Sequence, residues 1–144
     1  MVICVDTSFL FSLYGNDSKT EDAQRWSLQN QHVILITGLN HFELINALLF
    51  AEYRHAIKSG QSTKFAADFE FDIRGGRLVE SSCEFKEILA EASRLSAAHT
   101  LTGGHRGFDI LHVAAAKLIG ATHFLTFDTN QKKLAAKEGL IVPL

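Results

Sequence analysis

The chain has 144 residues, 47% of them apolar and 21% charged, with a formal net charge of −2 from 14 basic and 16 acidic side chains. That length suits a single hydrophobic core, and the share of apolar residues excludes a disordered chain. One proline and ten glycines exclude collagen-like and linker-like chains, and the near-neutral charge excludes a global basic field for nucleic acid.

The first residues, Met1 to Val5, lack the charged-then-apolar form of a secretory leader. Two isolated cysteines, Cys4 and Cys83, have no Cys-x-x-Cys spacing, which argues against a zinc ribbon or redox motif and suits a reducing cytoplasm. Val2–Val5 reads as a buried strand that stops at Asp6, and Thr7-Ser8 can cap a short helix over Phe9–Tyr14. Thr20–Asn30 reads as an amphipathic helix with Ala23, Trp26 and Leu28 inward, and Val33–Ile36 as a second strand. A long helix is predicted from about Leu39 to Lys58, apolar nearly all round and so expected to be buried.

Phe65, Phe69 and Ile73 stand at i, i+4 and i+8 and predict a helix over Gln61–Ile73. Leu78-Val79 is a weak strand, and Phe85–His99 a helix with Ile88, Leu89, Ala92 and Leu95 inward. Thr100–Gly107, with three glycines, reads as a loop. Phe108–Ile119 is a helix, His123–Phe127 a strand, Asn130–Glu138 a helix and Leu140–Val142 a last strand. No apolar run approaches the ~20 residues of a membrane-spanning helix. Strands alternate with helices throughout, so residues 1–144 read as one α/β domain with a central, mostly parallel sheet of about five strands flanked by helices.

In that architecture ligands bind beyond the carboxyl ends of the strands. Asp6 follows the first strand directly, Asp128 follows Phe124-Leu125-Thr126-Phe127, and Asp109 opens a helix after the glycine-rich loop. Glu43 lies in the apolar stretch Phe42-Glu43-Leu44-Ile45-Asn46-Ala47-Leu48-Leu49-Phe50, with Asn46 on the same helix face. Each acid also has a structural reading: Asp6 as an N-cap, Asp128 as an Asx-turn, Asp109 as a helix-dipole partner, Glu43 as half of a buried ion pair. Four carboxylates gathered on one edge would repel one another unless a cation sat among them, and oxygen-only chemistry suits Mg²⁺ or Mn²⁺.

The segments Asp6-Thr7-Ser8-Phe9-Leu10, Glu43-Leu44-Ile45-Asn46-Ala47-Leu48, Arg106-Gly107-Phe108-Asp109-Ile110-Leu111-His112-Val113-Ala114 and Phe124-Leu125-Thr126-Phe127-Asp128 resemble the four signature segments of PIN-domain ribonucleases. The ending from Thr126 to Ala135, with Gly139-Leu140 after it, is similar to VapC-type toxins of toxin–antitoxin pairs. The resemblance covers essentially the whole chain and implies a PIN-like fold and a Mg²⁺- or Mn²⁺-dependent endoribonuclease of the cytoplasm. It implies RNA as substrate, a cognate antitoxin and a second copy of the chain as partners, and no membrane. Asp6, Glu43, Asp109 and Asp128 match the family's acidic quartet, position by position.

Asp6 and Asp109 are expected to hold the metal most directly, with Glu43 and Asp128 completing the site. Thr7, Thr126 and Asn46 are candidates for orienting these groups, against ordinary caps and a buried structural amide. Arg106 either meets a substrate phosphate or salt-bridges Asp109 or Glu43. His112, one turn after Asp109, reads as a packing histidine, and His105 on the glycine loop has no assigned role. Arg54, Lys58, Lys64 and Arg74 read as a solvated helix face more than as the border of an RNA groove. Some of Phe65, Phe69 and Phe71 are alternatives for a partner groove. The rival function is a catalytically silent PIN-fold module that binds RNA or a partner. A haloacid-dehalogenase-like phosphatase would need an acid where Ser8 stands, and a P-loop enzyme a Gly-x-x-x-x-Gly-Lys that the chain lacks.

Overall fold

Four three-residue strands frame the computed structural model, which describes residues 1–144. They are β1 (Ile3–Val5), β2 (Ile34–Ile36), β3 (Leu78–Glu80) and β4 (His123–Leu125), hydrogen-bonded in the order β3-β2-β1-β4 with every pair parallel. Strands covered on both faces carry apolar residues in succession rather than in alternation. Ile3, Cys4 and Val5 are accordingly all buried. The pleat sends Ile3, Val5, Ile34, Ile36, Leu78 and Leu125 to one side and Cys4 and Phe124 to the other.

Helices fill both faces. The first side holds α1 (Thr7–Tyr14), α2 (Thr20–Gln29), α3 (Gly38–Tyr53) and α4 (Gln61–Arg74), which contribute Phe9, Leu10, Ala23, Leu44, Leu48 and Phe69 to its core. The second holds α5 (Phe85–Gly103), α6 (Gly107–Ile119) and α7 (Thr129–Lys137), through Ile88, Leu95, Val113, Leu134 and the small residues Ala114 to Ala116. The fold is α/β with a central parallel sheet flanked by seven helices.

Because all four strands point one way, their carboxyl ends open on one edge. The chain steps outward from β1 through β2 to β3, then returns across α5 and α6 to add β4 on the far side of β1. That reversal makes the crevice between β1 and β4 the binding position of an open α/β sheet.

Several elements depart from the sequence-based expectation. The fifth strand, expected at Leu140–Val142, is a single parallel bridge between His123 and Ile141. Pro143 follows at once and has no N–H to extend a ladder. The long helix stops at Tyr53 rather than Lys58, because His55 turns into the left-handed region (φ 59°) and Ala56 N bonds back to Ala51 O at 2.8 Å. Glu52 then accepts from Ser62 N (3.0 Å) and Ser62 Oγ (2.8 Å), tying that turn to the start of α4.

α3 is not buried all round. It buries Asn40, Leu44, Leu48 and Ala51 and leaves Phe42, Leu49, Phe50 and Tyr53 exposed. α5 runs through the expected loop to Gly103, with Leu101 wholly in solvent, and Leu28 and Leu89 point outward rather than inward. No helix is long and apolar enough to cross a membrane.

Glu138, at the end of α7, ties the second helical layer together. It accepts from His99 Nε2 (2.7 Å) and Arg94 Nη2 (3.0 Å) of α5 and from Lys117 Nζ of α6. Burial alone would push its carboxyl up, but Lys117, His99 and Arg94 together hold it at about 2. A depressed folded-state pKa contributes stability above the ordinary carboxylate range, and that stability is lost as pH falls toward 2. Glu138→Gln is therefore expected to cost about 1–2 kcal/mol at pH 7. Thermal melts followed by circular dichroism should show its deficit against the wild type shrinking between roughly pH 4.5 and pH 2.

Candidate functional site

Asp6 leaves β1 directly, and its backbone N–H bonds Leu125 O across the crevice at 2.9 Å. Its Oδ2 accepts from Ser8 N (3.1 Å), which caps α1, while Oδ1 lies 3.9 Å from His112 Nε2. Asp128 repeats the device after β4. Its Oδ1 accepts from Gln131 N (2.7 Å), capping α7, and its Oδ2 lies 3.7 Å from Arg106 Nη2. In both acids capping and groove position coexist, since one oxygen serves the helix and the other is left over.

Glu43 sits in the second turn of α3, with Oε1 3.0 Å from His112 Nε2. Asp109 sits in the first turn of α6, where its Oδ2 accepts from Arg106 Nε at 3.0 Å. All four carboxylates line one groove of about 520 Å³, together with Thr7, Ser8 and Arg106 and an apolar wall of Phe11, Ala47 and Phe108.

Thr7 is buried, and its hydroxyl lies 3.3 Å from His112 Nε2, on the side of Glu43, whose charged form it favours. Thr126 Oγ1 lies 3.2 Å from Asp6 Oδ2 and 2.8 Å from Gln131 Oε1, sharing its one hydrogen between them, and accepts from Asp128 N at 3.0 Å. Asn46 is exposed and outside the groove, so it is neither a buried structural amide nor a partner of Glu43. Arg106 takes the salt-bridge alternative in this structure, leaning across Asp109 and Asp128 with most of its side chain in solvent. Arg54, Lys58, Lys64 and Arg74 are exposed and none lines the groove. Phe69 belongs to the core and Phe71 is exposed.

Three residues were missed from the sequence. His112, read there as packing, has its side chain buried among Glu43, Thr7 and Asp6. Asn40 stands behind it, bonding Val5 O at 3.0 Å and His112 Nδ1 at 3.3 Å. Gln131 is wholly buried and links Thr126, the capping oxygen of Asp128 and, through Nε2, the carbonyl of Asp109 at 3.1 Å. The i, i+3 spacing of Asp109 and His112 on one helix face was the available signal for the first. Nothing local marks the other two. His105 is buried with Nε2 unpaired, and its ring lies where a Cβ on Gly103 would come within 2.4 Å of Nε2. A side chain on Gly103 would have to displace that ring.

The environments push the acids apart. Burial would raise the Glu43 carboxyl, but hydrogen bonds from His112 and Thr7 and the nearby Arg106 charge hold it below the usual carboxylate range. Asp109 goes the other way. Burial lifts it above the ordinary value, against the pull of Arg106, and the charges of Asp6 and Asp128 add to the rise. Asp6, Glu43 and His112 place ligand atoms within 4.8 Å of one another, a possible metal site. Four carboxylates on one groove supply the oxygen donors that a hard divalent cation takes, and a cation there would favour the charged form of Asp109, which burial chiefly disfavours.

The family model described as the PIN domain matches residues 3–137. No curated protein sequence matches the chain. The fold is similar to that of Mycobacterium tuberculosis VapC20, described as a sarcin-ricin loop cleaving toxin, at 18% identity and TM-score 0.65 over 96% of each chain. It is also similar to PAE2754 from Pyrobaculum aerophilum, at 18% identity and TM-score 0.62 over 99% of this chain and 89% of that one. A third likeness is to FitAcB from Neisseria gonorrhoeae, at 15% identity and TM-score 0.62 over 98% and 96%. Likeness at these identities is one of fold.

A raised carboxyl pKa means that Asp109 stabilises the metal-free fold below its ordinary range and loses that contribution as pH rises through its folded value. Asp109→Asn is accordingly expected to raise the metal-free melting temperature at pH 7 by roughly 2–4 °C and to lose that gain near pH 3. The same variant should blunt the rise that millimolar Mg²⁺ gives the wild type.

Proposed function

This chain belongs to the PIN-domain family, and from that premise we propose that it is a divalent-metal-dependent endoribonuclease of the cytoplasm, the toxin of a toxin–antitoxin pair. The observation that carries this reading is the convergence of Asp6, Glu43, Asp109 and Asp128 on one groove at the crevice between β1 and β4. The quartet is complete, whereas a silent binding module has no need of four acids gathered on one groove.

Asp6 and Asp109 would hold the Mg²⁺ or Mn²⁺ most directly, and Glu43 and Asp128 would complete the set of oxygen donors. When bound, the cation lowers the pKa of a coordinated water and offsets charge on the phosphoryl oxygens. The chain's own groups do the positioning. Ser8 N and Thr126 fix Asp6, Gln131 N fixes Asp128, and His112 and Thr7 fix Glu43. A groove carboxylate would take the proton of the attacking water, whose oxygen bonds to phosphorus as the bond to the 3′-oxygen breaks; the departing 3′-oxygen takes a proton from solvent water, leaving a 5′-phosphate and a 3′-hydroxyl.

Arg106 is free to change partners. Its side chain is 77% exposed, and substrate phosphate offers it a second anion once the cation satisfies Asp109 and Asp128. The apolar wall of Phe11, Ala47 and Phe108 gives bases or an inhibiting antitoxin peptide a surface beside the acids. The exposed Phe42, Leu49, Phe50 and Tyr53 on α3 support a protein partner, the antitoxin or a second copy.

Purified, antitoxin-free protein is expected to cut a mixed cellular RNA pool into discrete fragments with Mg²⁺ or Mn²⁺, and not with EDTA. Asp6→Asn should lower the rate by at least ~10²-fold, and sequencing the ends should find 5′-phosphates. Intact RNA under all conditions would favour the silent module. Arg106→Gln is expected to raise KM about tenfold with a smaller change in kcat, and to weaken the salt dependence of RNA binding in titrations.

A further inference from the structure

Two backbone partners fix the orientation of the Asn40 amide. Its Oδ1 accepts from Thr37 N at 2.9 Å, and its Nδ2 donates to Val5 O at 3.0 Å. A backbone N–H only donates and a carbonyl only accepts, so exchanging the amide oxygen and nitrogen would lose both bonds. The second hydrogen on Nδ2 therefore points at His112 Nδ1, 3.3 Å away. Nδ1 is then the accepting nitrogen, and the ring hydrogen that faces the groove sits on Nε2. Nε2 is 3.0 Å from Glu43 Oε1, 3.3 Å from Thr7 Oγ1 and 3.9 Å from Asp6 Oδ1. Both ring nitrogens are thereby committed, one accepting and one donating, and neither has a lone pair left for a cation.

We infer that His112 is a positioning residue: locked by Asn40 as the Nε2–H tautomer, it donates to Glu43 and aims that carboxylate into the groove, and it is not a metal ligand. The inference rests on the metal-site reading above for what Glu43 is aimed at. It deepens that reading by removing His112 from the donor set that distance alone allows. The metal then meets oxygen atoms only, a set that suits a hard cation rather than zinc.

The lock spans both helical layers. Asn40 belongs to the first turns of α3, on one side of the sheet, and His112 to α6 on the other, with the Val5 carbonyl at the end of β1 between them. The three elements that carry Asp6, Glu43 and Asp109 thus meet through one amide and one imidazole.

The test reads the tautomer directly. Long-range ¹H–¹⁵N correlation spectra of ¹⁵N-histidine-labelled, metal-free protein at neutral pH should show His112 with Nε2 protonated and Nδ1 not, and the pattern should persist on adding Mg²⁺ or Zn²⁺. A hydrogen on Nδ1, or loss of the Nε2 hydrogen when either metal is added, would overturn the inference. Calorimetric titration with Mg²⁺ alone supplies the second arm. His112→Leu is expected to weaken binding about 10- to 100-fold, and His112→Gln, which keeps an N–H donor at similar reach, to stay within about threefold of the wild type. Equal losses in the two variants would also overturn it. Neither arm depends on RNA cleavage: a protein that cuts no RNA but shows the locked tautomer fails the nuclease reading alone.

Discussion

The convergence of four carboxylates at the mouth of a parallel sheet is the constraint on which the rest of the structure depends. Parallel strands deliver whatever follows them to one edge, so Asp6 and Asp128 are brought together by topology before any side-chain contact forms. α3 and α6 add Glu43 and Asp109 from the two layers. Such a cluster persists without a cation only if donors hold each member. Ser8 N, Gln131 N, His112 and Arg106 each hold one.

Those donors come in two kinds, and the difference matters chemically. Backbone N–H groups at the starts of α1 and α7 are permanent, so Asp6 and Asp128 spend one oxygen on the fold and keep the other for the groove. The Arg106 contact is exposed, which suits a group that changes partners when substrate arrives. Glu43 is held by a buried imidazole and a buried hydroxyl, and Asp109 is the acid left most strained by burial.

Behind the acids lies a set of hydrogen-bonded buried amides. Asn40 joins Thr37, Val5 and His112, and Gln131 joins Thr126, Asp128 and the carbonyl of Asp109. A buried amide left half-bonded costs about 1–3 kcal/mol. These two are bonded at both ends, so they fix side-chain directions at the crevice where apolar packing alone would not.

The alternation of apolar runs with amphipathic stretches was legible from composition and spacing, because strand and helix periods are local properties of the chain. So were the four acids, since each sits beside an element end or in an apolar helix, where a carboxylate is out of place. Element ends were less legible. Whether Leu140–Val142 forms a strand depends on Pro143, and where α3 stops depends on Glu52 reaching Ser62 across a turn. Asn46 was the amide singled out because it shares a face with Glu43, yet α3 turns that position to solvent. His112 and Glu43 are 69 residues apart, and His112 and Asn40 are 72. Sequence by itself determined the kind of fold and the acids that it gathers, because both are written in local pattern. Only the tertiary structure decided which neutral groups hold those acids, because a hydrogen bond depends on distance and direction between elements that the chain brings together last.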